Sequence, residues 1–400
     1  MNYKRLLSIS LGHFALDILA SSTVIIFTVL ATPFNLTVGQ ISLAVMLQMM
    51  GSSLTQPFFG ILADRLQGRW MGAVGLLWMA IFYMLIPFMT NFPSLVICLS
   101  IGSLGSGALH AVGMVNASAA GGDYPATATS IFFLMGRSGL AVGPLLSGFI
   151  LQNNGVDGLP YMALGTLPAV ILMGVFLSSK DVSKAPTAVQ PVDQKAKIAP
   201  QTTINFGFAA ILSVIGFVIF QATVHQSYIT LLPKYLDDLG YMPAVYGSIL
   251  SAFTFAGAVG AFLGGPLGDK ISKRAVLLWS MVLSIPFLFW MMRGGELGFW
   301  VAGPIASGLL SLPHSILIVM VQRMWPNNKG MMGGAILGLM FASGATTAWI
   351  AGQIADVAGL DAVLMTLVCV PIAAIACTFF LPEERQESVS TLQPSAGAAD

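Results

Sequence analysis

Charge is what this sequence has least of. Its 400 residues hold 17 Lys and Arg and 16 Asp and Glu, 8% of the chain, against about 25% in an ordinary soluble domain. That deficit, with 56% hydrophobic residues and a mean hydropathy of +0.84, excludes a soluble enzyme and a disordered chain. A net charge of +1 gives no footprint for a polyanion, so no nucleic-acid partner is expected. Cysteine is scarce as well. Cys98, Cys369 and Cys377 all fall in apolar runs and read as small packing residues, not as a disulfide or a metal set. Phosphate-binding loops, metal-spaced clusters and nucleophile elbows are missing, so neither ATP-driven pumping, nor a metal site, nor catalysis is expected of this chain.

Apolar length is what the sequence has in abundance. A helix needs about 20 apolar residues to cross a bilayer, and charged or Gly/Pro breaks leave twelve such runs. They span 6–31, 38–62, 70–90, 94–118, 125–151 and 158–179, then 204–232, 243–268, 275–293, 298–322, 330–355 and 361–381. Most lack the period-2 alternation of a β-barrel. The expected fold is therefore an all-α, multi-pass membrane protein of twelve transmembrane helices. One longer connection holds Lys180, Lys184, Lys195 and Lys197 with Pro186, Pro191 and Pro200, the composition of a mobile linker. It divides the chain into a six-helix bundle over 1–179, a linker over 180–203, a second bundle over 204–382 and a disordered tail over 383–400. The first run is too long, and too polar at His13 and Asp17, for a cleaved signal peptide. With the N-terminus inside, fourteen of the 17 basic residues lie on the cytoplasmic face. Lys234 and Arg293 lie opposite, and Arg137 falls within a run. Both termini are thus expected in the cytoplasm.

The halves repeat one another. Gly60, Leu62, Asp64, Arg65 and Arg69 find counterparts 205 residues on in Gly265, Leu267, Asp269, Lys270 and Arg274; Gly148, Ile150, Gly155 and Asp157 recur 204 residues on as Gly352, Ile354, Gly359 and Asp361. Two parallel halves related by an axis along the membrane normal are a known transporter plan.

The doubled cluster resembles the signature G-x-L-x-D-R-x-G-R-[KR] of the major facilitator superfamily. The fifth run, Gly139-Leu-Ala-Val-Gly143-Pro144-Leu-Leu-Ser-Gly148, is similar to that superfamily's antiporter motif, with its last glycine displaced. Ser10-Leu11-Gly12-His13…Asp17, Gln56-Pro57-Phe58-Phe59-Gly60, Ser130-Ile131-Phe132, Gly264-Gly265-Pro266-Leu267…Asp269 and Gly338-Leu339-Met340-Phe341-Ala342-Ser343-Gly344 carry a resemblance to the fosmidomycin-resistance type of exporter. There are two departures. The chain has His110-Ala111 where such relatives carry His-Pro, and Gly136-Arg137 where they carry a glycine pair. The resemblance implies two pseudo-symmetric bundles, a monomer, and a cytoplasmic gate at Gly60, Asp64, Arg65, Arg69, Gly265, Asp269, Lys270 and Arg274, with Asp64 docking on an opposing helix end. Gly139, Gly143, Pro144 and Gly148 would form a close-packing seam.

Ionisable residues at a helix centre cost roughly 2.5 to 3.5 kcal/mol on insertion scales, so they need a partner or a wet cavity. Asp17 and Arg137 lie at similar depths in runs that enter from the same side. They are expected to form a switchable ion pair coupling proton binding to transport; the plainer alternative is a static pair. His13 and His110 join them as candidate proton carriers. Gln48, Gln221, His225, Tyr228, Ser311 and His314 are the expected substrate-cavity residues, with interhelical hydrogen bonding as the alternative reading. Taken together, the residues and the resemblance predict a secondary active transporter. It would export small organic or drug-like compounds, anionic ones included, by alternating access and proton antiport in a bacterial inner membrane. Its partners would be substrate, protons and lipid, and its energy source a proton gradient, with no cofactor. An uptake symporter or uniporter for a metabolite such as an organic acid, and a non-transporting sensor of the same fold, are the alternatives.

Overall fold

A computed structural model describes residues 1–66, 70–177, 208–325 and 328–381. The expected linker and tail, and Arg69, lie outside these residues. The chain folds into α1 (Tyr3–Val29), α2 (Val38–Leu66), α3 (Met71–Met84), α4 (Phe92–Gly121), α5 (Pro125–Asn154), α6 (Leu159–Leu164) and α7 (Leu167–Leu177). There follow α8 (Phe208–Asp238), α9 (Pro243–Lys270), α10 (Lys273–Arg293), α11 (Gly295–Leu297), α12 (Gly303–Ser311), α13 (Pro313–Met324), α14 (Lys329–Ala358), α15 (Leu360–Leu367) and α16 (Val370–Thr378). No strand occurs among the described residues. Within the described residues, each of the twelve apolar runs coincides with helix, the third, sixth, tenth and twelfth in two or three pieces. Among the described residues, ten helical stretches are long and apolar enough to cross a membrane.

Local signals set the helix ends. Asn2 and Asn91 accept hydrogen bonds from the amides of Arg5 and Ser94, capping α1 and α4, which satisfies amide groups that the first turn leaves without partners. Gly155 and Gly359, at φ of 60° and 88°, end α5 and α14 in conformations that side chains resist. Because lipid supplies little hydrophobic drive between helices, small residues do the packing. An added Cβ at Gly260 or Gly264 of α9 would run into the backbone of Gly308 or Leu312, so these helices touch along their main chains. Phe58, Phe88, Phe208 and Phe262 stand outside, each more than 60% exposed, as a lipid-facing surface requires.

Among the described residues, the hydrogen bonds between the two halves lie toward one end. We call it the far end; the other carries Lys4, Arg65, Lys270, Arg274 and Arg323 and is the basic end. At the far end the Gly39 amide donates to Asp356 at 3.0 and 3.2 Å, and the Ala244 amide donates to Gln152 Oε1 at 3.1 Å. Ser251 Oγ accepts from the Leu145 amide at 2.9 Å and donates to the Ala141 carbonyl. Toward the basic end, no hydrogen bond joins the halves among the described residues. A Cβ added at Gly60 of α2, or at Gly334 or Gly338 of α14, would meet nothing within 4 Å. The halves therefore part toward the basic end.

Candidate functional site

The site begins with a glycine seam. On α5, Gly136, Gly139 and Gly143 face α1 so closely that a Cβ at any of them would collide with His13, Phe14 or the Ile18–Ser21 turn. This approach lays the His13 ring on Phe132, with centroids 4.1 Å apart and planes 24° from parallel. It also brings His13 Nδ1 to 2.9 Å from the Phe132 carbonyl oxygen. One turn on, Asp17 Oδ2 lies 3.2 Å from His13 Nε2, as i,i+4 spacing on a helix allows. From α4, His110 presents Nε2 at 3.1 Å from His13 Nε2 and 3.8 Å from Asp17 Oδ1. His110 Nδ1 is 2.9 Å from the Ser106 carbonyl, and Ser106 Oγ accepts from Ser52 of α2 at 2.8 Å.

These contacts fix the tautomers. A carbonyl oxygen only accepts, so Nδ1 of both rings must carry hydrogen. Two Nε2 lone pairs and the Asp17 carboxylate then converge with nothing to donate. One shared proton, on a ring or on the carboxyl, would supply the missing donor. His13 and Asp17 are 3% and 5% exposed, while the His110 side chain is 25% exposed and forms the open side of the cluster. The same atoms lie within 4.8 Å of one another, a spacing that could hold a metal ion. The sequence named these three residues as proton carriers but not their contact, because His110 lies 97 residues from His13 along the chain. The charge of Arg137 acts on Asp17, and that proximity favours a single positive charge in the cluster over a divalent one.

The expected Asp17–Arg137 ion pair is not formed. Equal depth fixes only the level along the helix axis, not the direction around it. Gly136 faces α1, and the next residue points about 100° away, so Arg137 is turned off the α1–α5 contact. Its side chain has no hydrogen bond or ion pair among the described residues. Its charge acts on Asp17 of the first half and on His225 and His314 of the second. It stands between the halves.

In the second half, His225 Nε2 lies 3.2 Å from Ser311 Oγ and 3.4 Å from Ser307 Oγ, with its ring stacked on Phe253. His225, Ser311 and His314 are thus brought to one region near Arg137. Three other expected cavity residues are turned elsewhere. Tyr228 is fully buried and donates to the Leu364 carbonyl at 2.7 Å. Gln221 donates to Leu310 at 2.8 Å, and Gln48 to Ala20 at 3.2 Å. Each bonds a backbone carbonyl of another helix, so these side chains face neighbouring helices.

At the basic end Arg65 and Lys270 close their helices, exposed, and Asp269 is exposed beside Lys270. Arg274 donates to the Phe379 carbonyl at 3.0 Å. Gly60 and Gly265 lie in α2 and α9; the Asp64 side chain and Arg69 lie outside the described residues, and with them the docking expected of Asp64. Gly139 and Gly143 pack on α1, whereas Pro144 and Gly148 face α9 of the other half, against Gly247 and Pro243. Sequence reading passed over Gln152 and Asp356, although the repeat pointed to them: they follow the paired Gly148 and Gly352 by four residues each.

The sequence pattern of the Major Facilitator Superfamily matches residues 9–242 and 206–398. The chain is 26% identical over 381 residues to the Fosmidomycin resistance protein of Escherichia coli (strain K12), covering 95% of this chain and 93% of that one. It is 29% identical over 387 residues to the MFS-type transporter YfnC of Bacillus subtilis (strain 168), covering 96% and 94%. In fold it is similar to a bacterial homolog of the human lysosomal transporter Spinster, with a TM-score of 0.77 at 12% identity over 94% of this chain and 95% of that one. The chain belongs to the Major Facilitator Superfamily. It is a multi-pass integral membrane transporter of the kind that includes the fosmidomycin-resistance proteins.

Proposed function

We propose that this transporter exports small organic compounds, anionic ones included, across a bacterial inner membrane by alternating access, in exchange for protons. The observation that carries the reading is Arg137. A guanidinium lies between the halves, without a partner among the described residues, where they part toward the basic end. Arginine offers a planar fork of donors suited to carboxylates and phosphates. The basic end is the cytoplasmic one by the distribution of Lys and Arg, so Arg137 would meet compounds arriving from inside. The His13–Asp17–His110 cluster supplies the coupling. Without a proton, its carboxylate attracts Arg137; with one, Arg137 is left to a ligand or to the second half. The name of the Escherichia coli relative, a resistance protein, supports the outward direction.

A second reading is favoured by the same electrostatics. An anion on Arg137 strengthens the hold of the cluster on its proton, so the two ligands would travel together, as in proton symport of an organic acid. Proteoliposomes loaded with a panel of labelled organic acids and drug-like compounds, under pH gradients of either sign, separate the readings. Antiport accumulates compound against the proton flow and symport accumulates it with the flow. Arg137→Ala should abolish transport of the anionic members, and Asp17→Asn should leave transport insensitive to the gradient. If both variants transport as the wild type does, the proposal is wrong.

A further inference from the structure

The far-end contacts obey the internal repeat. Gly148 of α5 lies against Pro243, the first residue of α9, and Gly352 of α14 lies against Val38 and Ser42 at the start of α2. Four residues beyond each glycine, a side-chain oxygen takes an amide from the second residue of the helix opposite: Gln152 from Ala244, and Asp356 from Gly39. Gln152 to Asp356 is an offset of 204, and Gly39 to Ala244 an offset of 205. These are the offsets of the motif repeat itself. One structural unit, a glycine followed after four positions by an acceptor, is therefore used twice, each time by one half upon a helix of the other.

The physical chemistry of each contact is that of an N-cap made in trans. The first amides of a helix have no partner within it, and an acceptor there is stabilised by the helix dipole. The glycine removes the side chain that would keep the helices apart, and the acceptor one turn on reaches the amide. Both seams, α14 on α2 and α5 on α9, must separate if the molecule is to open at the far end.

We propose that Gln152 and Asp356 are paired positioning residues of the transport cycle: they cap helices of the opposite half, hold the far end closed and release when it opens. This rests on the alternating-access reading and adds to it the residues that set the balance between its states. Gly39 and Ala244 each give up a cap on opening, so losing one cap favours the far-open state by about 3- to 30-fold, the equilibrium equivalent of a lost N-cap.

The test uses the full chain in liposomes, with Cys98, Cys369 and Cys377 replaced by Ser and spin labels at Thr32→Cys and Leu239→Cys, both exposed at the far end. Pulsed dipolar spectroscopy reads the fraction of molecules with a long distance. Gln152→Ala and Asp356→Ala should each raise that fraction 3- to 30-fold relative to the short-distance fraction, and more together. Asp356→Asn and Gln152→Glu keep an acceptor oxygen and should restore the wild-type distribution, which a general loss of packing would not allow. An unchanged distribution in the folded double Ala variant overturns the proposal, and so does failure of the Asn and Glu variants to restore. Gly352→Trp, a wedge in the seam, reports on the underlying reading separately. If the wedge gives no long distance, alternating access itself fails; if it does and the Ala variants do not, only the cap assignment fails.

Discussion

Replacing Gly139 by alanine adds one methyl group in the α1–α5 seam, against Phe14 and Asp17. The new Cβ would overlap the Phe14 carbonyl oxygen and lie 3.1 Å from Phe14 C and 3.0 Å from Asp17 Cβ. Carbon atoms in favourable contact are about 3.5 to 4.0 Å apart. The obstacle is backbone, which cannot rotate aside, so α1 must withdraw by roughly 1 Å. His13 moves with α1 while Phe132 stays with α5, which stretches the 2.9 Å contact of His13 Nδ1 to the Phe132 carbonyl past hydrogen-bonding range. Overpacking costs about 1 to 3 kcal/mol, and a buried hydrogen bond contributes about 0.5 to 1.5 kcal/mol. The expected loss is therefore about 1.5 to 4.5 kcal/mol, read as a lower apparent midpoint of thermal unfolding in detergent. Transport should fall with it, because the His13 tautomer is no longer fixed. Gly174→Ala is the control: it lies within α7, and its Cβ meets nothing within 4 Å. There the substitution should stabilise by up to about 1 kcal/mol. The reasoning is refuted if Gly139→Ala melts and transports as the wild type does, or if Gly174→Ala is equally harmful.

Three further outcomes are expected. Tyr228→Phe removes the hydroxyl bonded to Leu364 and should lower stability by about 1 kcal/mol with no change in apparent substrate affinity; a weakened affinity at unchanged stability would place the hydroxyl in the cavity after all. Asp361→Asn touches Tyr235 at 3.0 Å and Arg293 at 3.4 Å, but both members of the ion pair are about half exposed, so its effect should stay below about 1 kcal/mol. Maleimide should spare buried Cys98 in the folded protein and modify it after denaturation, as intact mass would show; prompt labelling of Cys98 in the folded protein would contradict its packing beside Phe82.

Particular residues show how far the sequence could be read. His13 and Asp17 share a helix, so their common face followed from spacing alone. The glycines of α5 announced a close approach, because no other residue type allows one. Depth along a helix was legible too, and it placed Asp17 and Arg137 at one level. Direction around the helix was not, because it depends on which face of α5 meets α1, and it is His110, 97 residues from His13 along the chain, that takes the place beside Asp17. Gln48, Gln221 and Tyr228 were misplaced for a related reason. A polar stripe on a membrane helix serves a cavity or a neighbouring carbonyl equally well, and only the packed neighbour decides. The trans caps could have been found by following the repeat four residues past Gly148 and Gly352.

The sequence by itself determined the solvent of this protein, its helices and its duplication. These depend on composition and on spacing within one segment, where the cost of burying charge and backbone in lipid leaves few alternatives. Its 33 charged residues also marked which end is basic. Tertiary structure alone decided which ionisable atoms converge, which side chain stands between the halves, and at which end those halves touch. Each of these depends on contacts between segments distant along the chain, and a rotation of one helix by a single residue, about 100°, exchanges one set of partners for another.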